Sequence, residues 1–452
     1  MLFIVHSMRG TRINKYCYLS LILIFFFGYS LSAQERKMAL FPINHYLLKN
    51  GLKVITSEDH SLPVVSVVVG YKVGSLNEKP GKTGLAYLLE NLMFLGSENV
   101  GRMKHISFIQ RIGGNLNAIT AEDKTIFSQT VPSNQLALIL WLESDRMRSL
   151  NIEADAVESI KSDLIEEIRR RRETEPYFES SIYFDHLLFP DFSYSHPVMG
   201  VEEDLRKVSH EDVKDFYSTY YIPNNSVLCI TGDIDNQKTK ELVIKYFEGI
   251  PRKDQPLPLP NPGFEDKESK FEEIKDLLAP SPGFYLGYRI GSLSSSDQYA
   301  LSIIEYILLR GRSSRLLRKL IKKEKTALQI SGGIEKKGNL AAFKIFVTAT
   351  NEFLIEKNQK IIVSEIEKLK TSMVGENELQ RAKNMFKADF FNQFKTTLEK
   401  ALFLTEAYLS GKNLDSLPEY FERHMFVSQM EIISAANKCF SQGRKILNIK
   451  LK

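Results

Sequence analysis

A short helical pattern between residues 83 and 95 carries side chains at the spacing of a catalytic zinc site. Tyr87, Glu90 and Asn91 lie on one stripe of this helix, because residues three or four apart project from the same face. Histidines at positions 87 and 91 would present two imidazoles to one zinc ion, and a glutamate beside them would activate a bound water molecule. The chain keeps that glutamate, but it has a phenol and an amide where the imidazoles would stand.

A third metal ligand has to come from another element, and Glu167 is the candidate. It belongs to a second helical pattern over residues 154–172. The apolar stripe of this helix consists of Val157, Ile160, Leu164 and Ile168. Glu167 follows Leu164 by three residues and lies at the edge of the stripe, so we expect its carboxylate to point inward.

The ligand chemistry of these positions argues against zinc. A tyrosine phenol has a pKa of about 10 and an asparagine amide oxygen is neutral, so neither competes well with water for the ion. We therefore predict no bound cofactor. An alternative stays open, in which Glu90, Asn91, Glu167 and water molecules hold a harder ion such as Mg²⁺ or Ca²⁺.

Strand and helix patterns that position these residues run through the first half of the chain. Strands are predicted at residues 51–56, 64–73 and 226–232. Helices are predicted at residues 83–95, 107–111, 134–148, 154–172 and 210–220. The strand at 64–73 is apolar almost throughout, which is typical of a central strand covered by helices. Long helices against antiparallel strands indicate the α+β class.

A sequence repeat indicates that this design occurs twice. Gly70-Tyr-Lys-Val-Gly-Ser-Leu76 recurs 217 residues later as Gly287-Tyr-Arg-Ile-Gly-Ser-Leu293. Between the copies, residues 251–262 hold five prolines, which predicts a stiff, extended linker. We predict two homologous domains at residues 38–250 and 263–452, each a mostly antiparallel sheet packed with helices.

The N-terminal residues predict export of the protein. Three basic residues precede an apolar run from Tyr18 to Tyr29, and small residues follow, as in a secretory signal. We predict a signal peptide over residues 1–33 and a periplasmic or extracellular location. No later segment reaches the roughly 20 apolar residues of a membrane span, so we expect none after cleavage.

The charge balance gives no reason to expect a nucleic-acid partner. The chain has 60 Lys and Arg against 55 Asp and Glu, and the predicted signal peptide removes three of the basic residues. The basic run at residues 169–172 is flanked by glutamates and is interpreted as a solvated helix face. Only Cys229 and Cys439 follow the signal peptide, too few for a disulfide scaffold.

Together these patterns resemble the insulinase/pitrilysin family of zinc peptidases, whose signature is H-x-x-E-H. The shared stretches include Pro80-Gly-Lys-Thr-Gly-Leu-Ala, Gly113-Gly-Asn-Leu-Asn-Ala-Ile-Thr120 and His196-Pro-Val-Met-Gly200. The resemblance implies the fold of that family and zinc in its active members. It also implies that Glu90 is a vestigial general base and that Tyr87, Asn91 and Glu167 are vestigial ligand positions.

The same resemblance implies how peptides are held. Active members use an arginine and a tyrosine from the second half of the chain, and the matching positions here are Ile321 and Leu328. Residues 113–127 are expected to form an edge strand that receives an extended peptide by strand addition, beside Asn117, Ala118 and Thr120. The alternative for this stretch is an ordinary turn and strand.

Three functions are compatible with these residues. The first is an inactive metallopeptidase homologue that binds or encloses peptides and pairs with a catalytic subunit, because chambers in this family are built from four such domains. The second is an active metalloendopeptidase with a non-standard metal site. The third is a binding or scaffold protein of the cell envelope without a peptidase partner.

Overall fold

The structure, a computed structural model, describes residues 40–258, 268–291 and 295–451, and from Pro42 onwards the chain forms one compact unit. The predicted signal peptide, residues 259–262 of the predicted linker and the last two residues of the second repeat copy lie outside the described residues. The strands are β1 Asn44–Leu47, β2 Lys53–Glu58, β3 Val64–Tyr71, β4 Asn115–Thr120, β5 Thr125–Pro132, β6 Ser226–Gly232, β7 Lys270–Lys275, β8 Gly283–Ile290, β9 Ala327–Lys337, β10 Leu340–Ala349 and β11 Arg444–Lys450. The helices are α1 Leu85–Leu92, α2 Lys104–Arg111, α3 Leu136–Arg148, α4 Ala154–Thr174, α5 Phe178–Leu188, α6 Phe192–Ser195, α7 Glu202–Lys207, α8 His210–Tyr220, α9 Asn236–Phe247, α10 Ser295–Leu308, α11 Ile355–Thr371, α12 Glu376–Asn392, α13 Thr397–Leu409, α14 Leu417–Phe426 and α15 Gln429–Cys439.

The first half of the chain builds a six-stranded sheet in the order β1-β2-β6-β3-β5-β4. Its neighbouring strands are antiparallel except for the parallel pair β2 and β6. β3 has the sequence VVSVVVGY and is buried along nearly its whole length, because β-branched residues of a central strand pack on both faces. The predicted central strand is confirmed, and β4 lies at one edge of the sheet.

The second half builds a five-stranded sheet in the order β7-β11-β8-β10-β9. Only β7 and β11 are parallel neighbours in it. β8 carries the second copy of the repeat and is fully buried, as β3 is in the first sheet. β9 lies at the edge, in the position that β4 has in the first sheet. The predicted α+β class, with two mostly antiparallel sheets covered by helices, is confirmed.

Each sheet is covered in part by a helix from the other half of the chain. α13 packs on β3 and β6, while α5 packs on β8 and β11. The side chains of Ser66 and Thr231 hydrogen-bond to Thr397, at 2.8 and 2.6 Å, and so hold the start of α13 on the first sheet. On the second sheet, the ring of Phe184 in α5 stacks on that of Tyr285 in β8, with centroids 5.0 Å apart.

The repeated glycines lie directly beneath these exchanged helices. A Cβ atom at Gly70 would lie 2.6 Å from Thr405 Cγ2 and 2.9 Å from Leu409 Cδ1, both on α13. A Cβ atom at Gly287 would lie 2.9 Å from Leu188 Cδ2 on α5. The repeat therefore reflects a close approach of helix to strand that occurs once in each half.

The exchanged helices also bear on the domain prediction. The strands of the first sheet all lie within the predicted domain 38–250, and those of the second sheet all lie within the predicted domain 263–452. However, α5 and α13 join the halves into a single compact unit. The division into two domains with a linker at 251–262 therefore stays a prediction.

The structure also describes both cysteines that follow the predicted signal peptide. Cys229 and Cys439 are buried and unpaired, and burial raises the pKa of each thiol to about 12. Across residues 40–258, 268–291 and 295–451, no helix combines the length and the apolar character needed to cross a bilayer.

Candidate functional site

Helix α1 carries the candidate site residues and is fixed at its start by a buried carboxylate. Glu78 accepts hydrogen bonds from the backbone N–H groups of Gly84 and Ala86, both at 2.8 Å. These bonds satisfy groups that the first turn of a helix leaves without an intrahelical partner. The opposite face of α1 packs into the core through Leu85, Leu88, Leu89 and Leu92.

Glu90, the vestigial general base, faces the edge strand β4. Its side chain is nearly buried, and its Oε2 accepts a hydrogen bond from the hydroxyl of Thr120. Burial raises the pKa of Glu90, and the hydroxyl and the backbone N–H of Thr120 oppose this rise. The carboxylate is therefore held by the protein itself.

Tyr87 and Glu167 lie near each other, because α1 packs against α4. Glu167 is partly buried at this contact, as its place at the edge of the apolar stripe predicts. Burial raises the pKa of Tyr87, and the negative charges of Glu167 and Glu90 raise it further. The phenol therefore stays protonated at neutral pH and is not an anionic ligand.

Asn91 is held within its own helix. Its Nδ2 donates a hydrogen bond to the backbone oxygen of Tyr87, one turn earlier, at 2.9 Å. The amide oxygen is then the one atom of this side chain that is able to contact a cation, and it carries no net charge. Position 91 therefore contributes little to metal binding.

Arg171 neutralises the carboxylate of Glu167. It lies one turn further along α4, and its Nη2 is 3.2 Å from Glu167 Oε1. The same guanidinium is 3.8 Å from Glu175, and its charge lowers the pKa of Tyr87 against the larger opposing effects. A partly exposed pair of this kind contributes only about 0–1 kcal/mol. Its main consequence is that positive charge already stands beside the third vestigial ligand.

These contacts do not fit a zinc ion. A protonated phenol, a neutral amide and an ion-paired carboxylate lack the imidazole and thiolate donors that zinc selects. Among the described residues, no three His, Cys, Asp or Glu side chains come together in a group able to hold a metal. The arrangement does not favour Mg²⁺ or Ca²⁺ either, since Glu90 is bonded to Thr120 and Glu167 to Arg171.

Strand β4 presents backbone groups beside this site. The backbone N–H of Ala121 donates a hydrogen bond to the backbone oxygen of Lys124 at 2.8 Å. Residues 121 and 124 are therefore a hydrogen-bonded pair, next to the pair Thr120 and Thr125 of the β4–β5 ladder. Bonded and non-bonded pairs alternate along an antiparallel ladder. The N–H groups of Leu116, Ala118 and Thr120 therefore point outward from the sheet edge.

The three predicted peptide contacts consequently differ in position. The backbone of Ala118 points outward, and so does that of its neighbour on the same face, Leu116. The outward N–H of Thr120 lies on the residue whose hydroxyl is bonded to Glu90. Asn117 directs its backbone towards β5, and its side chain is exposed on the other face. Peptide binding at Asn117, Ala118 and Thr120 stays a prediction.

The second half supplies no polar groups at the two positions of the substrate-holding pair. Ile321 lies in a π-helical turn, Leu317–Lys323, and Leu328 follows the first residue of β9. Leu328 is exposed, with 56% of its surface accessible. Neither aliphatic side chain donates a hydrogen bond to a peptide or to a reacting group.

Two family models match most of this chain. The model for insulinase, peptidase family M16, matches residues 53–190, and the model for the peptidase M16 inactive domain matches residues 207–386. The chain belongs to the peptidase M16 family. The first match contains α1 and α4 with the vestigial site, and the second contains β8 to β10.

Three matches show the extent of the similarity. The zinc protease PqqE of Helicobacter pylori is 28% identical over 439 residues, which cover 96% of this chain and 97% of that protein. A protease structure from Helicobacter pylori superposes with a TM-score of 0.84 at 27% identity, covering 91% of this chain and 99% of the other. A peptidase M16 inactive domain from Pseudomonas fluorescens gives 0.82 at 16% identity, covering 91% and 98%, and this likeness shows the fold alone.

The vestigial positions are predicted from the sequence, but the side chains that contact them, Thr120 and Arg171, were not predicted to do so. Arg171 follows Glu167 by four residues, and that spacing on a helix is a signal for an ion pair. The bond between Thr120 and Glu90 joins residues 30 apart in different elements. Local spacing gives no signal for such a contact.

Proposed function

We propose that this chain is a non-catalytic M16 protein that binds extended peptides on β4 and pairs with a catalytic member of its family in proteolysis. One observation carries the proposal: an outward-facing strand edge lies beside a helix whose ligand positions no longer fit zinc. Strand addition relies on backbone hydrogen bonds, so it does not require the metal or the lost side chains.

The geometry of β4 supports a short peptide site. Leu116 and Ala118 direct backbone groups outward, and Glu90 holds the next outward-facing residue, Thr120, through its hydroxyl. Each added backbone bond contributes about 1 kcal/mol net. A ladder this short gives weak binding by the isolated chain, in the micromolar to millimolar range. A second subunit that encloses the peptide would add the missing contacts.

Replacing Ala118 by proline should weaken peptide binding without unfolding the protein. Proline removes one outward N–H, and an edge strand tolerates this change because that group has no partner in the sheet. We expect about a fivefold loss of affinity, which corresponds to about 1 kcal/mol, measured by fluorescence anisotropy with a labelled peptide recovered from a casein digest. The matched Ala118→Val variant keeps the N–H and should bind as the wild type does. Equal binding by both variants would exclude β4 as the docking edge.

Pairing is supported by what this chain lacks. Its site does not fit zinc, and both substrate-holding positions, Ile321 and Leu328, are aliphatic. Cleavage of a bound peptide therefore has to come from another subunit. We place both partners outside the cytoplasm, on the strength of the signal pattern in residues 1–33.

Isolation of the affinity-tagged chain from its native cells should recover a second M16 protein that keeps both motif histidines. The purified pair should cleave casein, whereas this chain alone should not. Recovery of the chain without a peptidase, still with bound extended peptides, would instead favour an envelope binding protein. Cleavage by the pure chain that is lost in a Glu90→Gln variant would establish a working metallopeptidase and overturn the proposal.

A further inference from the structure

Glu90 has a structural counterpart in the second half of the chain, Glu305 on α10. Both residues are 9% exposed. Oε2 of Glu305 accepts a hydrogen bond from the backbone N–H of Ile334 in β9 at 3.4 Å. Glu90 accepts its bond from the hydroxyl of Thr120 in β4. In each half, a helix glutamate therefore binds one residue of the edge strand of its sheet.

The strand registers show that the two bonded positions are equivalent. In the first sheet, Tyr71 lies opposite Thr125, which in turn lies opposite Thr120. In the second sheet, the repeat partner of Tyr71 is Tyr288. Tyr288 lies opposite Phe343, and Phe343 lies opposite Ile334. Counting across either sheet from the repeated tyrosine thus leads to the residue that the glutamate binds.

Metal chemistry does not account for this contact in the second half. Ser302 and Tyr306 stand at the spacing from Glu305 that Tyr87 and Asn91 have from Glu90. No histidine occurs on α10, and Glu305 is instead paired with Arg310, whose Nε is 2.8 Å from its Oε1. A contact kept in both copies, including one without any ligand set, belongs to the fold.

From this we infer that Glu90 and Glu305 are positioning residues that clamp the edge strands β4 and β9 onto the helices behind them. Glu305 occupies the N–H of Ile334, and Glu90 holds Thr120, whose N–H points outward from the sheet edge where an added strand would bond. Glu90 thereby sets the end of the peptide ladder at Ala118. This last step rests on the proposed peptide function, whereas the clamp itself does not.

Amide hydrogen exchange of the full chain tests the clamp at two separate positions. An outward N–H of an edge strand has no partner in its sheet, so its protection has to come from the carboxylate. We expect Glu90→Ala to speed exchange at Thr120 by about tenfold and to leave Ile334 unchanged. Glu305→Ala should do the reverse. Glu90→Gln keeps an acceptor oxygen and should restore most of the protection at Thr120.

A folded Glu90→Ala protein with unchanged exchange at Thr120 would overturn the inference for the first half, and the same result at Ile334 would overturn it for the second. Peptide binding gives an independent readout. Glu90→Ala frees one further N–H, so a casein-derived peptide should bind several-fold more tightly. If exchange changes as expected but no peptide binds to either protein, the clamp stands and the proposed peptide function fails.

Discussion

Replacing Tyr87 and Asn91 together by histidine should give a chain that binds one zinc ion, whereas the dialysed wild type should carry none. The substitutions put two imidazoles on adjacent turns of α1, facing Glu167 on α4. A full ligand set contributes on the order of 10–16 kcal/mol in structural sites. We therefore expect affinity to rise by at least about a thousandfold, measured by elemental analysis and by competition with a chelating dye.

Two further variants show whether the zinc lies in the intended place. Glu167→Ala in the double variant removes the third ligand and should lower the affinity sharply. Arg171→Ala should raise it, because the guanidinium otherwise competes for the same carboxylate. Stoichiometric zinc in the wild type, lost on Glu167→Ala, would contradict our account of the site. Peptidase activity should stay low in the double variant, because Ile321 and Leu328 remain.

The variants Gly70→Val and Gly287→Val should each destabilise the protein by about 3 kcal/mol, at the upper end of the usual overpacking cost. At Gly70 the new Cβ would lie 2.6 Å from Thr405 Cγ2, and a β-branched side chain has little freedom to move away. At Gly287 the nearest atoms belong to Leu188 and Phe184. Urea denaturation measures the change in the free energy of unfolding.

A control variant and a double-mutant cycle test whether the lost stability comes from contact with α5 and α13 or from any side chain added at a glycine. Gly249 is exposed, with only Arg148 as close as 4.0 Å to an added Cβ, and Gly249→Val should change stability by less than about 0.5 kcal/mol. Leu409→Ala should offset part of the cost of Gly70→Val but none of that of Gly287→Val. If Leu409→Ala offset the loss of stability equally in Gly70→Val and Gly287→Val, the packing of α13 on the first sheet and α5 on the second would be contradicted.

Much of the local structure is predictable because periodicity reports which face of an element is apolar. The helix at 154–172 is observed as Ala154–Thr174, and the strand at 64–73 as Val64–Tyr71. The predicted helix at 107–111 begins earlier, at Lys104. α5 was not predicted. Its sequence, FESSIYFDHLL, mixes aromatic and polar residues without a single clear stripe.

By itself, the sequence determined the duplication, the α+β class and the loss of both imidazoles, because these depend on residue identity and short spacing. Only the tertiary structure decided what the altered positions contact: Glu90 binds Thr120, Arg171 neutralises Glu167, and Asn91 turns back on its own helix. It also decided that α5, from the first half of the chain, covers the second sheet, and that α13, from the second half, covers the first sheet. An apolar stripe shows that a helix is covered, but the partner surface is chosen by packing between residues far apart in the chain.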